Sequence, residues 1–257
     1  MRISIGLAGA TPPDTVRTVA RAAEHAGLDA LWLNDTPDGD ALAGLVAAAE
    51  ETTRLRLGVG VIPLDRAPAE RIAERIVGLR LPADRLVIGV GSGRAPHAAA
   101  FVEAGVRALR DLVDATIVVG GLGPRVRRIG AELADGVLLN WLPPATAAEA
   151  RDEAAAQAEA AGRPHPLVAL YVRTALDPAA HPALIAEAER YAAFPGYAAN
   201  FARIGQGPLD GSILATDVEG LRARIADYEG AVDELVLRAV TVGNAPAEIR
   251  RIIDAAR

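Results

Sequence analysis

The chain has 257 residues, a formal net charge of −6 and no cysteine. The missing cysteine excludes disulfides, thiol nucleophiles and thiolate metal sites, and the acidic balance argues against a general nucleic-acid binder. Lysine is absent too, so a Schiff-base lysine and a phosphate-loop lysine are excluded.

Hydrophobic residues make up 51% but aromatics only 4%, so the core is expected to be Leu, Ile, Val and Ala. The opening segment MRISIGLAGATPP is too short and too glycine-broken to read as a signal peptide. No stretch reaches the roughly 20 apolar residues of a membrane span. The expectation is a soluble, cytoplasmic protein with neither a membrane nor a nucleic-acid partner.

Ile3 to Leu7 is the first predicted strand. A helix follows, with Val16, Val19, Ala20 and Ala23 on one face, Asp14 as the expected N-cap and Gly27 as its stop. ALWLN after Asp29 is the second strand, and Leu42, Leu45, Val46 and Ala49 mark the second helix. Leu55 to Val61 is the third strand, and Pro68 starts a helix carrying Ile72, Ile76 and Leu79. RLVIGVG after Asp84 and ATIVVGG after Asp114 are the fourth and fifth strands. Pro124 opens a helix with Val126, Ile129 and Leu133, and GVLLNW after Asp135 is the sixth strand. Leu167 to Thr174 is the seventh. Pro178 to Arg203 reads as one or two helices broken near Pro195-Gly196, Gly205 to Ser212 as a loop, and Asp217 to Glu229 as a helix capped by Asp217. ELVLRAV after Asp233 is the eighth strand, and Ile249, Ile252 and Ile253 mark the closing helix.

Short apolar runs of this kind are strands buried on both faces. Their alternation with helices implies parallel pairing through right-handed crossovers. Eight units in this length predict an α/β fold, a (β/α)8 TIM barrel occupying residues 1–257 as one domain. The connection between the fourth and fifth strands is short, and the one before the last strand is long and helical. A doubly wound open sheet is the alternative.

In such folds ligands meet the carboxyl ends of the strands. Gly89-Val-Gly-Ser-Gly93 ends the fourth strand and is either a phosphate cradle, with Ser92 adding a hydroxyl, or a tight turn. It is not a dinucleotide fingerprint, because the spacing is GxGxG. Gly120-Gly121-Leu122-Gly123-Pro124 runs straight into a helix whose free N–H groups attract anions, beside Arg125. Asp35, between Asn34 and Thr36, either meets a ligand or caps the next helix, in competition with Asp38 and Asp40. Asn140-Trp141 ends the sixth strand, where the indole either walls a ligand or covers the rim. Arg173 and Arg238 either meet an anionic substrate or form structural ion pairs. Of the four histidines only His97 is placed near this face, and none has a neighbour at metal-ligand spacing. Ile62, Trp141 and Tyr171 are expected to line the site.

The order of LRLGVGVIPL, PAERIAERI, DRLVIGVGSG, IVVGGLGPR and ADGVLLNWL resembles the luciferase-like monooxygenase superfamily. The likeness is weakest from Pro178 to Ser212. It implies a flavin or deazaflavin barrel enzyme, with coenzyme F420 as the first cofactor and FMN as the alternative. It also implies a cis peptide at Gly60-Val61 behind the ring, Asp35 at the ring's polar edge, phosphate-side contacts at Ser92, Gly93 and Gly123, and Asn140 lining the site. Gly121 joins the cofactor set through its turn. Two departures stand out: Thr36 replaces a common His, and Arg94 replaces the Glu of the sugar-phosphate dehydrogenase branch. The catalytic candidates are therefore only Thr36, Arg94 and His97. The implied function is hydride transfer to or from a small organic substrate by a homodimer. A non-catalytic flavin-binding or storage protein and a flavin-free phosphosugar barrel enzyme remain as alternatives.

Overall fold

A computed structural model describes residues 1–257. Nine strands form: β1 (Arg2–Ala8), β2 (Ala30–Asn34), β3 (Arg56–Pro63), β4 (Leu86–Gly91), β5 (Thr116–Gly120), β6 (Gly136–Asn140), β7 (Leu167–Ala175), β8 (Ser212–Leu214) and β9 (Glu234–Ala239). The helices are α1 (Pro13–Ala26), α2 (Ala41–Glu51), α3 (Ala69–Gly78), α4 (Ala98–Leu112), α5 (Pro124–Glu132), α6 (Pro144–Ala160), α7 (His181–Ala192), α8 (Pro195–Ile204), α9 (Val218–Ala226) and α10 (Pro246–Ala255).

All pairings are parallel, and β6 pairs with β7 through Gly136–Leu167 to Asn140–Tyr171. That pairing closes the ring β1 to β7 plus β9, so the fold is the eight-stranded barrel and not the open sheet. The additional strand, β8, begins at the last residue of the segment that reads as a loop and has no counterpart among the eight expected strands. β7 is nine residues long and β6 only five, so β7 outruns its neighbour. β8 takes over the vacated edge, pairing Ser212, Ile213 and Leu214 with Arg173, Thr174 and Ala175. This supplies partners that the exposed ladder groups of β7 require.

Two helices gave no clear signal in the sequence. In α6 the buried stripe is Ala147, Ala150, Ala154 and Ala158, small residues in an Ala-rich stretch that hides the period. α4 occupies the short connection after β4 and buries Val102, Val106 and Leu109. Asp14 is not the N-cap of α1. That position is Pro12, and Asp14 lies in the first turn, paired with Arg17 at 3.0 Å. Gly27 ends the helix at φ +77°, the left-handed region glycine adopts without a Cβ penalty. Asp217 does cap α9, accepting from Gly220 N–H at 2.7 Å.

The main core lies between barrel and helices, and Val16, Val19, Ala20 and Ala23 of α1 are buried in it. A second, smaller core fills the barrel axis. It comprises Trp32, Val87, Val118, Leu138, Tyr171 and Val236 with Ala30 and Ala169. At the amino-terminal end of the axis Glu234 is fully buried. It accepts from Ser4 Oγ at 2.6 Å and Trp32 Nε1 at 2.7 Å, and pairs with Arg56 at 2.5 Å. Such a carboxylate is tolerated inside a protein only when its oxygens are filled this way. Above it, the Trp32 and Tyr171 rings meet edge to face at 5.9 Å. Tyr171 thus forms the top of the interior column and the floor of whatever lies at the mouth. No helix is long and apolar enough to cross a membrane.

Candidate active site

A cleft of about 200 Å³ opens at the carboxyl ends of the strands. β2 contributes Asn34 with Asp35 and Thr36 just beyond it, β3 contributes Gly60, Val61 and Pro63, and β5 contributes Gly120 followed by Gly121 and Leu122. β6 and β7 add Leu138, Asn140 and Tyr171, and the rim is completed by Tyr191 and Tyr197 of α7 and α8.

The Gly60-Val61 peptide is cis, and the β3–β4 register shifts between Val59 and Ile62. The Val61 side chain rests on a patch without Cβ atoms. A Cβ at Gly89, Gly91 or Gly120 would stand 3.1, 3.2 or 2.6 Å from a Val61 methyl group. These glycines permit the valine to lie against strands β4 and β5 while it walls the cleft. Ile62, by contrast, turns into the core between barrel and helices. Its expected place in the lining is therefore corrected. Adjacent strand residues face opposite ways.

The two asparagines are held from behind. Asn34 Oδ1 accepts from Arg238 Nε at 3.0 Å, and its Nδ2 donates to the Gly60 carbonyl at 2.7 Å. Asn140 Oδ1 accepts from Arg173, and its Nδ2 donates to Tyr197 Oη at 2.9 Å. Both arginines converge on Glu187 of α7: Arg173 Nε at 3.0 Å and Arg238 Nη2 at 4.0 Å. Burial opposes ionisation of Glu187, but the two arginines hold its carboxyl below the usual range. Burial pushes Arg238 below the usual arginine range. The arginines thus take the ion-pair role of the two anticipated for them. Glu187, Tyr191 and Tyr197 went unanticipated in the sequence. Their signal was available: Tyr191, Phe194, Tyr197 and Phe201 recur at spacings of three and four in a chain with few aromatics.

Asp35 serves both the cleft and the chain. It accepts from Ala41 N–H at 3.2 Å and pairs with Arg66, while Asp40 is the true N-cap of α2. Burial raises the Asp35 carboxyl above its ordinary range, against the opposing pull of Ala41 N–H and Arg66. Burial pushes the Tyr197 hydroxyl up to about 12.

Other expected residues lie elsewhere. Trp141 adopts φ +58° and is fully buried among Ala188 and Phe201, with the Arg173 guanidinium 4.2 Å from its ring centre. It covers the rim and does not wall the cleft. His97 sits at φ +53° before α4, exposed and outside the lining. Arg94 is exposed, and Gly123 lies outside the cleft. Ser92 and Gly93 are also outside it, and their turn is filled from within the chain. Asp65 Oδ2 accepts from Arg94 N–H at 2.8 Å, and its carboxylate stands against Gly93 where a Cβ would be. Beside the β5 turn, Arg127 and not Arg125 is the buried cation, paired with Glu153 at 3.2 Å.

The solved structures that align with this chain share its architecture. An F420-dependent secondary alcohol dehydrogenase, bound to an F420–acetone adduct, aligns at TM-score 0.73 and 17% identity over 100% of both chains. The coenzyme F420-dependent tetrahydromethanopterin reductase of Methanopyrus kandleri aligns at 0.76 and 17% identity, over 99% of this chain and 97% of that one. The oxygenating constituent of 3,6-diketocamphane monooxygenase from Pseudomonas putida, in complex with FMN, aligns at 0.70 and 13% identity, over 99% and 97%. No curated protein matches the chain significantly in sequence. The family model for luciferase-like monooxygenases matches residues 2–116 and 107–257. With that match running from end to end and the closed parallel barrel beneath it, the chain belongs to the luciferase-like monooxygenase family of oxidoreductases.

Proposed function

We propose that this protein transfers a hydride between a deazaflavin or flavin and a small organic substrate, with F420 as the preferred cofactor and FMN as the second. The observation that carries this is the cleft itself. Val61 presents an apolar wall on a patch free of Cβ atoms, and Asn34, Asp35 and Asn140 supply polar groups around it. That arrangement suits a flat ring with a polar edge. At about 200 Å³ the cleft is smaller than the ~300–1,000 Å³ of ordinary small-molecule sites. It would take only part of such a cofactor, leaving the rest to the open turns beside it.

In this reading Val61 and Gly60 back the ring, Asp35, Asn34 and Asn140 meet its polar edge, and Gly121 with Gly123 receives the charged tail at the amino end of α5. Ser92 and Gly93 border the same tail. When bound, the cofactor carries the hydride; the protein orients it and excludes water. Asp65 in the Gly93 turn disfavours a phosphate dianion lodged in that turn. A homodimer belongs to the same reading, although the apolar faces of the first helices are already buried within the chain. Light scattering of the purified protein measures it.

The test is titration of purified protein with F420 and FMN, read by quenching of ligand emission and by the melting shift each ligand produces. Binding of F420 more tightly than FMN is expected. Binding of FMN alone reverses the cofactor order, and binding of neither below about millimolar overturns the reading. Thr36 and Arg94, standing where relatives carry acid or base groups, favour the storage alternative. Oxidation of the bound reduced cofactor by an organic acceptor, faster than without protein, decides against storage.

A further inference from the structure

Tyr171 is 2% exposed and lines the cleft, yet its hydroxyl has no hydrogen-bond partner. Buried polar groups are nearly always paired, so an orphan at a cleft floor points to a partner that arrives with a ligand. Burial raises its ionisation well above that of free tyrosine, so near neutral pH the group is a hydrogen-bond donor.

Of the charged groups that act on this hydroxyl, Arg238 and Arg173 outrank Glu234, so the net charge around it is positive. Arg173 and Arg238 face each other in register on β7 and β9. Their shared carboxylate is that of Glu187. Their other side-chain acceptors are the neutral amides Asn140 and Asn34, which satisfy hydrogen bonds without balancing charge. Two guanidinium groups against one carboxylate leave a surplus positive charge, and Arg173 and Arg238 are respectively 1% and 13% exposed at the side chain. In so screened a place the field reaches the cleft with little attenuation by solvent.

We propose that the cleft floor is a subsite for a ligand oxygen of anionic character, a carboxylate or an enolate. Tyr171 donates its phenolic hydrogen to that oxygen, and the Arg173–Arg238 pair supplies the stabilising field. The subsite lies in the cleft assigned above to cofactor and substrate, and so rests on that reading for its biological ligand. Its chemistry does not depend on which molecule brings the oxygen.

The experiment compares wild type with Tyr171→Phe, using benzoate as a flat carboxylate and benzamide as its uncharged counterpart. Wild type is expected to bind benzoate more tightly than benzamide. The variant should bind benzoate about tenfold more weakly, while its ligand-free melting temperature stays the same or rises, because an unpaired buried hydroxyl has been removed. Equal benzoate affinity in the two proteins overturns the proposal, as does failure of wild type to bind benzoate. A fall in melting temperature with unchanged benzoate affinity assigns the hydroxyl a structural partner and likewise overturns it. F420 and FMN titrations run alongside keep the two readings apart. Loss of cofactor binding in wild type with the benzoate difference intact removes only the cofactor assignment. Cofactor binding without a benzoate difference removes only the subsite.

Discussion

Asp65 lies with its carboxylate in the turn of Gly93, so close that a Cβ on Gly93 would overlap it. Gly93 adopts φ +60°, and in its turn the Arg94 N–H donates to the aspartate at 2.8 Å. An anion arriving from outside must displace a like charge. Asp65→Ala is therefore expected to strengthen binding of FMN about tenfold, or ~1.4 kcal/mol, and to leave riboflavin, which lacks the phosphate, unchanged. Fluorescence titration of the two ligands checks this. An equal gain for both shows that the aspartate acts on the ring and not on the phosphate.

Gly120 has Val61 Cγ1 pressed against it, 2.6 Å from the place of a Cβ. Gly120→Ala must push the valine toward the cleft. Overpacking of this kind costs about 1–3 kcal/mol, and the displaced wall narrows the slot. A lower melting temperature together with weaker binding of a flat ligand is expected. Unchanged binding in a destabilised variant separates the wall from the ligand.

Glu234 sits at the opposite end of the barrel axis and takes no part in the cleft. Glu234→Ala leaves Arg56, Ser4 and Trp32 Nε1 without their shared acceptor. Removing one partner of a buried pair costs about 3–5 kcal/mol. Asp29 still pairs with Arg56, which places the expected loss near the lower figure. Denaturant unfolding measures it, and ligand affinity of the folded fraction should not change.

Tyr197 gives the stability a particular alkaline limb. Its folded ionisation is raised to about 12, against about 10 for an unfolded tyrosine. Between these values the unfolded chain binds fewer protons, so stability falls as pH rises. The contribution is whole below pH 10 and gone once pH has passed about 12. Tyr171 and Tyr228 are raised by burial as well, and steepen the same limb. Tyr197→Phe should flatten the decline of melting temperature above pH 10, at the cost of about 1 kcal/mol at neutral pH for the lost bond to Asn140. A melting series from pH 8 to 12 tests both halves.

The barrel was legible because apolar runs such as LVIGVG and TIVVG are short, β-rich and closed by glycine. The cleft was partly legible for the same reason. Asp35, Thr36, Gly60, Val61, Gly121 and Asn140 are at or near strand ends, Tyr171 is in the middle of β7, and all seven line it. What escaped depends on packing between distant segments. Glu187 matters because Arg173 and Arg238 come together on neighbouring strands, 65 residues apart in sequence and paired in register. Asp65 matters because the β3 loop folds back over the β4 turn. β8 is three residues long, too short for any period. Trp141 follows a strand end, where an indole either walls a ligand or covers the rim; its left-handed backbone and burial against Ala188 and Phe201 put it in the second place.

The interior column from Glu234 through Trp32 to Tyr171 has an optical consequence. The chain has two tryptophans: Trp32 within the barrel axis and Trp141 packed beneath Arg173 at the mouth. The molecule therefore carries two separately placed emitters. Trp32→Phe leaves a probe of events at the rim, and Trp141→Phe leaves one that senses the barrel axis through Tyr171. Ligand arrival and loosening of the barrel base are then followed separately, one in each single-tryptophan variant, without any label being attached.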